Sequence, residues 1–318
     1  MKILVCGATG FMGRNIVEFL SGREGVTLFG VHWHNLDLPP NVIIYTSDLT
    51  NKKHVEEVFN SVKPDIVIQA AAVTSGVKDI LERPYIHVPD NVIMNSLLLK
   101  ACYDHNVKHF IFLSCGVMYQ PGDAPRKETD FNEHDEIHSA YFGVGWMKVY
   151  IEKQCEFYSR LGRTKHTVVR HSNTYGPYDK YGKEESHMFA ATIDKVMRAN
   201  DGDTIEVWGT GEETARDLIY VDDVCDFIYR VLSLQTSSYK LYNVGYEVAF
   251  TVKEVVERII KISGKKLNIK YNTDKPVIPT KLTLDCNKAF KELNWVANTD
   301  INEGIEKTIK WYNEQQFN

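Results

Sequence analysis

Seven residues near the start of the chain, Gly7-Ala-Thr-Gly10-Phe-Met-Gly13, have the types and spacing to hold a dinucleotide. Each glycine has its own task. Gly7 permits a tight turn, Gly10 lets backbone come close to a pyrophosphate, and Gly13 lets a helix pack on a strand. The pyrophosphate would sit on the free amides and positive dipole end of that helix, with Thr9, Phe11 and Met12 in the same loop. The flanks agree. Ile3, Leu4 and Val5 form a short apolar run suited to a buried strand, and Ile16, Val17, Phe19 and Leu20 recur at helical spacing.

Charge bears on the choice of dinucleotide. A site that selects NAD places a carboxylate at the end of the second strand, for the ribose hydroxyls. Here that strand ends Val31-His32-Trp33-His34, and the first acid is Asp37. Arg14, His32 or His34 could instead face a 2′-phosphate, so NADP(H) is the expected cofactor. Two other groupings carry less. His134-Asp-Glu-Ile-His138 has the histidine spacing of a zinc protease motif, but its acid is displaced and no long helix surrounds it, so no metal is expected. The six cysteines (Cys6, Cys102, Cys115, Cys155, Cys225, Cys286) are scattered without a C-x-x-C pair. That pattern predicts reduced thiols in a cytoplasmic chain rather than a zinc site or disulfide framework.

The elements that must position these residues follow a βα alternation. Strands are expected at Lys2–Cys6, Thr27–His32, Val42–Thr46, Ile66–Ala70, His109–Ser114 and Thr167–Arg170. Helices are expected near Met12–Ser21, Lys53–Val62, Val92–His105 and Gly145–Ser159. Such an order predicts an α/β fold, a doubly wound parallel (Rossmann) sheet with its ligand at the carboxyl edge. After Arg170 the pattern loosens into a long loop over Asn173–Glu185, a helix over Ser186–Ala199, a short strand at Glu206–Trp208, and amphipathic helices at Thr251–Ser263 and Asn302–Glu314. This predicts a smaller C-terminal substrate-binding lobe, 171–216 plus 246–318, beside a cofactor domain of 1–170 plus about 217–245. Trp295, Trp311 and Tyr312 read as core of that lobe. A net charge of −5 argues against nucleic acid, and no apolar run approaches the roughly 18–20 residues of a membrane span. The opening residues already read as a core strand, which leaves no room for a signal peptide.

Further signposts stand in order along the chain. They are Asp48-Leu49, Gln69-Ala70-Ala71-Ala72, Asn91, Tyr119, Asn173-Thr-Tyr-Gly-Pro177 and Arg216-Asp-Leu-Ile-Tyr-Val-Asp-Asp223. With the glycine loop, they make the chain resemble the extended short-chain dehydrogenase/reductase family of sugar-nucleotide enzymes over nearly its whole length. Within it the chain is most similar to the GDP-L-fucose synthase-like reductases of GDP-4-keto-6-deoxy sugars. The likeness lies in Asn173 to Asp179 followed by Ser186-His187-Met188, in Val207-Trp208-Gly209, in Arg216 and in Lys281-Leu-Thr-Leu-Asp285. The resemblance implies cofactor contacts from Asp48, Leu49, Ala70, Ala71, Ala72 and Asn173. It implies substrate contacts from Val117, Asn173, His187, Lys195, Trp208, Arg216 and Lys281. It also implies a homodimer.

Chemistry in this family needs a tyrosine acid, a lysine four residues later and a Ser or Thr hydroxyl. The pattern Lys148-x-x-x-Glu152, then Cys155-Glu156-x-Tyr158, makes Lys148 the matching lysine. Three positions depart from the family. Val144 stands four residues before Lys148, Cys115 takes the hydroxyl position, and Val117 takes the place of the epimerisation cysteine while its histidine partner is present as His187. Tyr141 lies one turn further from Lys148 and would swing inward on an irregular turn at Gly143–Gly145. The expectation is therefore an NADPH-dependent reductase of a GDP-linked 4-keto-6-deoxy hexose or heptose, serving cell-surface polysaccharide precursors, without epimerisation. Tyr141 would give the proton, with water or Cys115 as alternatives, and Cys115 could be a displaced epimerisation group. Rival readings are a nucleotide-sugar epimerase or dehydratase, or a catalytically inactive NADP-binding protein.

Overall fold

The computed structural model describes residues 1–33, 38–74, 76–182 and 186–316. Its centre is β1 (Lys2–Cys6), whose Ile3, Leu4, Val5 and Cys6 are all buried. Burial on both faces is the mark of a parallel strand covered by helices on each side. The strands that follow are β2 (Thr27–His32), β3 (Val42–Thr46), β4 (Ile66–Gln69), β5 (His109–Cys115) and β6 (Lys165–His171). After them come β7 (Asn173–Tyr175), β8 (Thr204–Trp208), β9 (Ala215–Tyr220), β10 (Tyr239–Val244), β11 (Ala249–Thr251), β12 (Asn268–Asn272) and β13 (Lys281–Leu282). Between them lie α1 (Phe11–Leu20), α2 (Lys52–Val62), α3 (Val77–Glu82), α4 (Pro89–Asp104), α5 (Phe142–Arg160), α6 (Met188–Arg198), α7 (Val221–Leu234), α8 (Val252–Ser263), α9 (Asn287–Leu293) and α10 (Ile301–Gln316).

Seven strands form one parallel sheet in the order β10-β6-β5-β4-β1-β2-β3. Alternation along each strand feeds two cores. Ile3, Val5, Ile111 and Leu113 meet α1 and α7 on one face, and Leu4, Phe110 and Phe112 meet α2, α4 and α5 on the other. The order reverses between β1 and β4, and a crevice opens there at the carboxyl edge. A smaller sheet centred on β9, with the β8–β12 pair, packs with α6, α8 and α10 around a third core of Tyr175, Phe189, Ile193, Val255 and Ile305. No helix among the described residues is long and apolar enough to cross a membrane.

The doubly wound sheet follows the sequence pattern, and the differences are local. β5 and β6 each run one residue further than expected, to Cys115 and His171. The sequence pattern does not anticipate α3, α7, α9 or the strands β9 to β13, and the loop after Arg170 opens with the short strand β7. The start of α5 is a correction. Gly143 and Gly145 lie inside a regular helix from Phe142, and the irregular turn is the 3₁₀ segment Ser139–Tyr141 before it. Gly145 is there for closeness rather than pliability, since a Cβ on it would fall 3.0 Å from Ile137.

A buried polar network clamps α5 to β5 and β6. The Arg170 guanidinium donates to both Glu152 oxygens, with Nη2 to Oε2 at 2.6 Å, and both side chains are about 4% exposed. Ser114 Oγ donates to Glu152 Oε1 at 2.6 Å, and Arg170 Nη1 donates to the Tyr119 hydroxyl at 2.8 Å. Tyr119 in turn donates to Asn243 Oδ1 on β10. Deleting one partner of such a pair strands the other charge without water, at a cost of about 3–5 kcal/mol. Glu152→Ala is expected to lower unfolding free energy in urea by that amount, and a loss below about 1 kcal/mol would show the network to be dispensable.

Candidate active site

The glycine loop joins β1 to α1 as a turn that only glycine fills. Gly7 has a φ of +73°, and a Cβ on it would lie 2.6 Å from Ala71 Cα. A Cβ on Gly13 would overlap the Gly7 carbonyl oxygen. The loop thus runs as bare backbone into the first turn of α1, an arrangement that fits a dinucleotide pyrophosphate. It opens into a cleft of about 1950 Å³ along the carboxyl edge of the sheet.

Most of the expected site residues line this cleft. Gly7, Thr9, Gly10, Phe11 and Met12 do so at one end, with His32, Asp48, Leu49 and Ala70 to Ala72. Asp48 accepts from the Thr50 amide and hydroxyl, which hold its carboxyl below the usual range. At the other end stand Asn173, Lys195, Trp208 and Arg216. Lys195 Nζ donates to the Glu206 carbonyl at 3.0 Å, and Lys275 Nζ lies 5.7 Å from the centre of the Trp208 ring. Arg216 Nη1 donates to the Thr280 carbonyl at 2.8 Å. Lys180, from the loop after β7, donates to the Thr74 carbonyl at 2.7 Å.

Two of the expected cleft residues, Arg14 and Lys281, point elsewhere. Arg14 does not line the cleft. Its guanidinium pairs with Glu18 at 2.6 Å and lies 4.9 Å from the centre of the Tyr178 ring, because one more step around α1 turns it toward the β7 loop. Lys281 is also off the cleft, since its ammonium pairs with Asp123 at 2.7 Å on the exposed side of β13. His34 and Asp37 lie outside the described residues.

Between the two ends sits a compact group of side chains. Lys148 Nζ donates to the Leu113 carbonyl at 2.9 Å, and burial lowers its pKa. Cys115, Val117 and Val144 line the cleft around it, and Val144 offers no proton. Burial pushes the Cys115 thiol up, against the pull of Lys148. Cys115 is half-buried, and the other five cysteines are fully buried. Tyr141 faces the cleft, and its hydroxyl is 3.5 Å from Arg216 Nη2. His187 places Nδ1 3.1 Å from the buried Asp179 carboxylate.

One residue here escaped the sequence reading. His171 ends β6 opposite Cys115, its register partner on β5, and both line the cleft. Its Nδ1 lies 2.9 Å from the Ser172 carbonyl and 3.0 Å from the Thr174 hydroxyl. Burial, with Lys148 and His187 nearby, lowers its pKa to about 4, which leaves the ring neutral. Its signal was the single residue by which β6 outruns the expected strand.

The family model described as the NAD dependent epimerase/dehydratase family matches residues 3–245. The GDP-L-colitose synthase of Yersinia pseudotuberculosis is 29% identical over 322 residues, covering 100% of both chains. A putative GDP-L-fucose synthase 2 of Arabidopsis thaliana is 27% identical, over 98% of this chain and 92% of that one. Among solved structures, the UDP-glucose 4-epimerase of Thermotoga maritima with UDP-glucose matches with a TM-score of 0.87 at 26% identity, over 99% of this chain and 100% of that one.

The loop geometry generates a direct test. Gly13→Ala forces a methyl onto the Gly7 carbonyl, so dinucleotide affinity measured by fluorescence titration should fall about tenfold or more, roughly 1.4 kcal/mol. Unchanged affinity would mean that the cofactor does not rest on this loop.

Proposed function

The chain belongs to the NAD dependent epimerase/dehydratase family, and we propose that within it this protein is an NADP(H)-dependent reductase of a GDP-linked 4-keto-6-deoxy sugar. The observation that carries the reading is the single cleft that joins the glycine loop to Trp208, Lys195 and Arg216 past Lys148. A bound NADPH supplies hydride to the keto carbon. In this reading Lys148, anchored on the end of β5, holds the nicotinamide ribose. Arg216, Lys195 and Lys275 supply positive charge for a diphosphate, and Trp208 an aromatic face for the base. The relatives named as GDP-L-colitose and GDP-L-fucose synthases support a GDP-linked substrate.

Reduction without epimerisation is part of the proposal. Epimerisation beside a ketone takes one group to remove a carbon-bound proton and another to return it on the opposite face. His187 can serve as one of these, and Val117 lines the cleft without acid or base. The exposed Tyr150 and Phe157 of α5 and Ile93 of the adjoining α4 support a homodimer through this face. Six unpaired thiols support a reducing, cytoplasmic setting.

The cofactor reading rests on the lack of an acid between Thr27 and Leu36. NADPH should bind at least about tenfold tighter than NADH by calorimetry, and Arg14→Ala should leave that ratio in place because its charge is held by Glu18. Equal affinities would sink the NADP(H) assignment.

Turnover of a GDP-4-keto-6-deoxyhexose in deuterated water tests the reaction itself. One oxidised cofactor should be released for each alcohol formed. The ring carbons beside the former ketone should stay unlabelled above the background measured without enzyme. Enzyme-dependent deuterium at those carbons would establish epimerisation, and cofactor retained without net oxidation would establish an epimerase or dehydratase.

A further inference from the structure

A ketone reduction needs a proton for the carbonyl oxygen, and Val144 stands where the family's phenol would be. We propose that the Cys115 thiol donates this proton and that the Lys148 ammonium holds the thiolate left behind; the proposal rests on the reductase reading above.

The geometry sets Cys115 apart from the other cleft residues. Lys148 Nζ is fastened to the Leu113 carbonyl, two residues before Cys115 on the same strand. The Lys148 charge and the Val117 backbone N–H each favour the anion there, against the larger effect of burial, which raises the thiol. The charged groups around the thiol are Lys148 and Glu152 from α5 and Arg170 from β6, with the His171 ring beside it on the neighbouring strand. Glu152 and Arg170 neutralise each other at 2.6 Å, which leaves Lys148 as the unbalanced charge. A second cation at position 171 would pull the proton off the thiol and disarm the donor. Burial, helped by the charge of Lys148, keeps His171 a neutral ring, so this does not happen. Tyr141 has a different neighbour, because its hydroxyl faces Arg216 on the substrate side.

The keto carbon takes hydride from the reduced nicotinamide cofactor, and the carbonyl π pair moves to oxygen. That oxygen takes the proton from sulfur. The S–H bond breaks, the O–H bond forms, and the electron pair stays on Cys115 as a thiolate beside Nζ and the Val117 N–H. Even pushed up by burial, a thiol is a far stronger acid than an alcohol, so the transfer runs downhill. Water returns the proton to sulfur once the product has left.

Two measurements test this on the full-length protein. The first needs neither cofactor nor substrate. Cys115 is half-buried and the other five thiols are fully buried, so iodoacetamide labelling mapped by mass spectrometry reads it separately from them. Lys148→Met should raise the pH midpoint of labelling and slow it about fivefold or more at pH 8. Labelling that is insensitive to this change would overturn the pairing. The second is turnover of a GDP-4-keto-6-deoxyhexose with NADPH. Cys115→Ala should cut kcat about a hundredfold or more while NADPH affinity is kept, and Cys115→Ser, a weaker acid, should recover less than about a tenth of wild-type kcat. Tyr141→Phe should act mainly on KM. A Cys115→Ala kcat within about twofold of wild type, or a kcat lost instead in Tyr141→Phe, would overturn the proposal. Wild-type protein that leaves this substrate untouched would overturn the reductase reading, and the labelling result would then decide the Cys115–Lys148 pairing by itself.

Discussion

The buried pair between Glu152 and Arg170 is the constraint from which the geometry of the cleft follows. It fastens α5 to β6, and through Ser114 it fastens the same helix to β5. Side chains alternate along a strand, so turning Ser114 and Arg170 toward α5 turns Cys115 and His171 the other way. Lys148 lies one helical turn before Glu152 and shares its side of α5, which carries the ammonium to the end of β5. Three side chains of the cleft are thus set by one buried ion pair. The pair is expensive to hold dry, and its donors and acceptors are accordingly filled by Ser114, Tyr119 and each other.

How much of this was legible depended on whether the signal was local. The run Ile3 to Val5 with its glycine loop declared a buried strand and a phosphate turn, because both depend on neighbours within a few residues. The expected strand ended at Arg170, since an exposed-looking His-Ser-Asn follows. The ladder goes on to His171 only because Cys115 and Val244 lie beside it on the flanking strands. Such pairing is tertiary information. β10 was missed for a related reason. Its Lys240 and Asn243 look wrong for a strand, yet Asn243 is buried and takes the Tyr119 hydroxyl as a partner.

The two misplaced cations carry a similar lesson. Arg14 follows Gly13 directly, and sequence adjacency suggested that it would share the phosphate. On a helix, one residue is a rotation of about 100°, enough to move a charge from the cleft to the wall behind it. There Glu18 and the Tyr178 ring were better partners than solvent. Lys281 has the same history on a strand, where the exposed side of β13 offered Asp123. In both cases the side chain takes a direction that sequence position alone does not give.

Because five thiols are buried and one is half-buried, oxidative damage to this protein is a matter of place. Cys115 is the one thiol that opens onto the cleft, so an oxidant that enters the cleft meets it first. An occupied molecule shields its own weak point, and an idle one leaves it open. Wear would then track time spent empty rather than the number of turnovers completed, which ties the working life of the protein to the supply of what it binds.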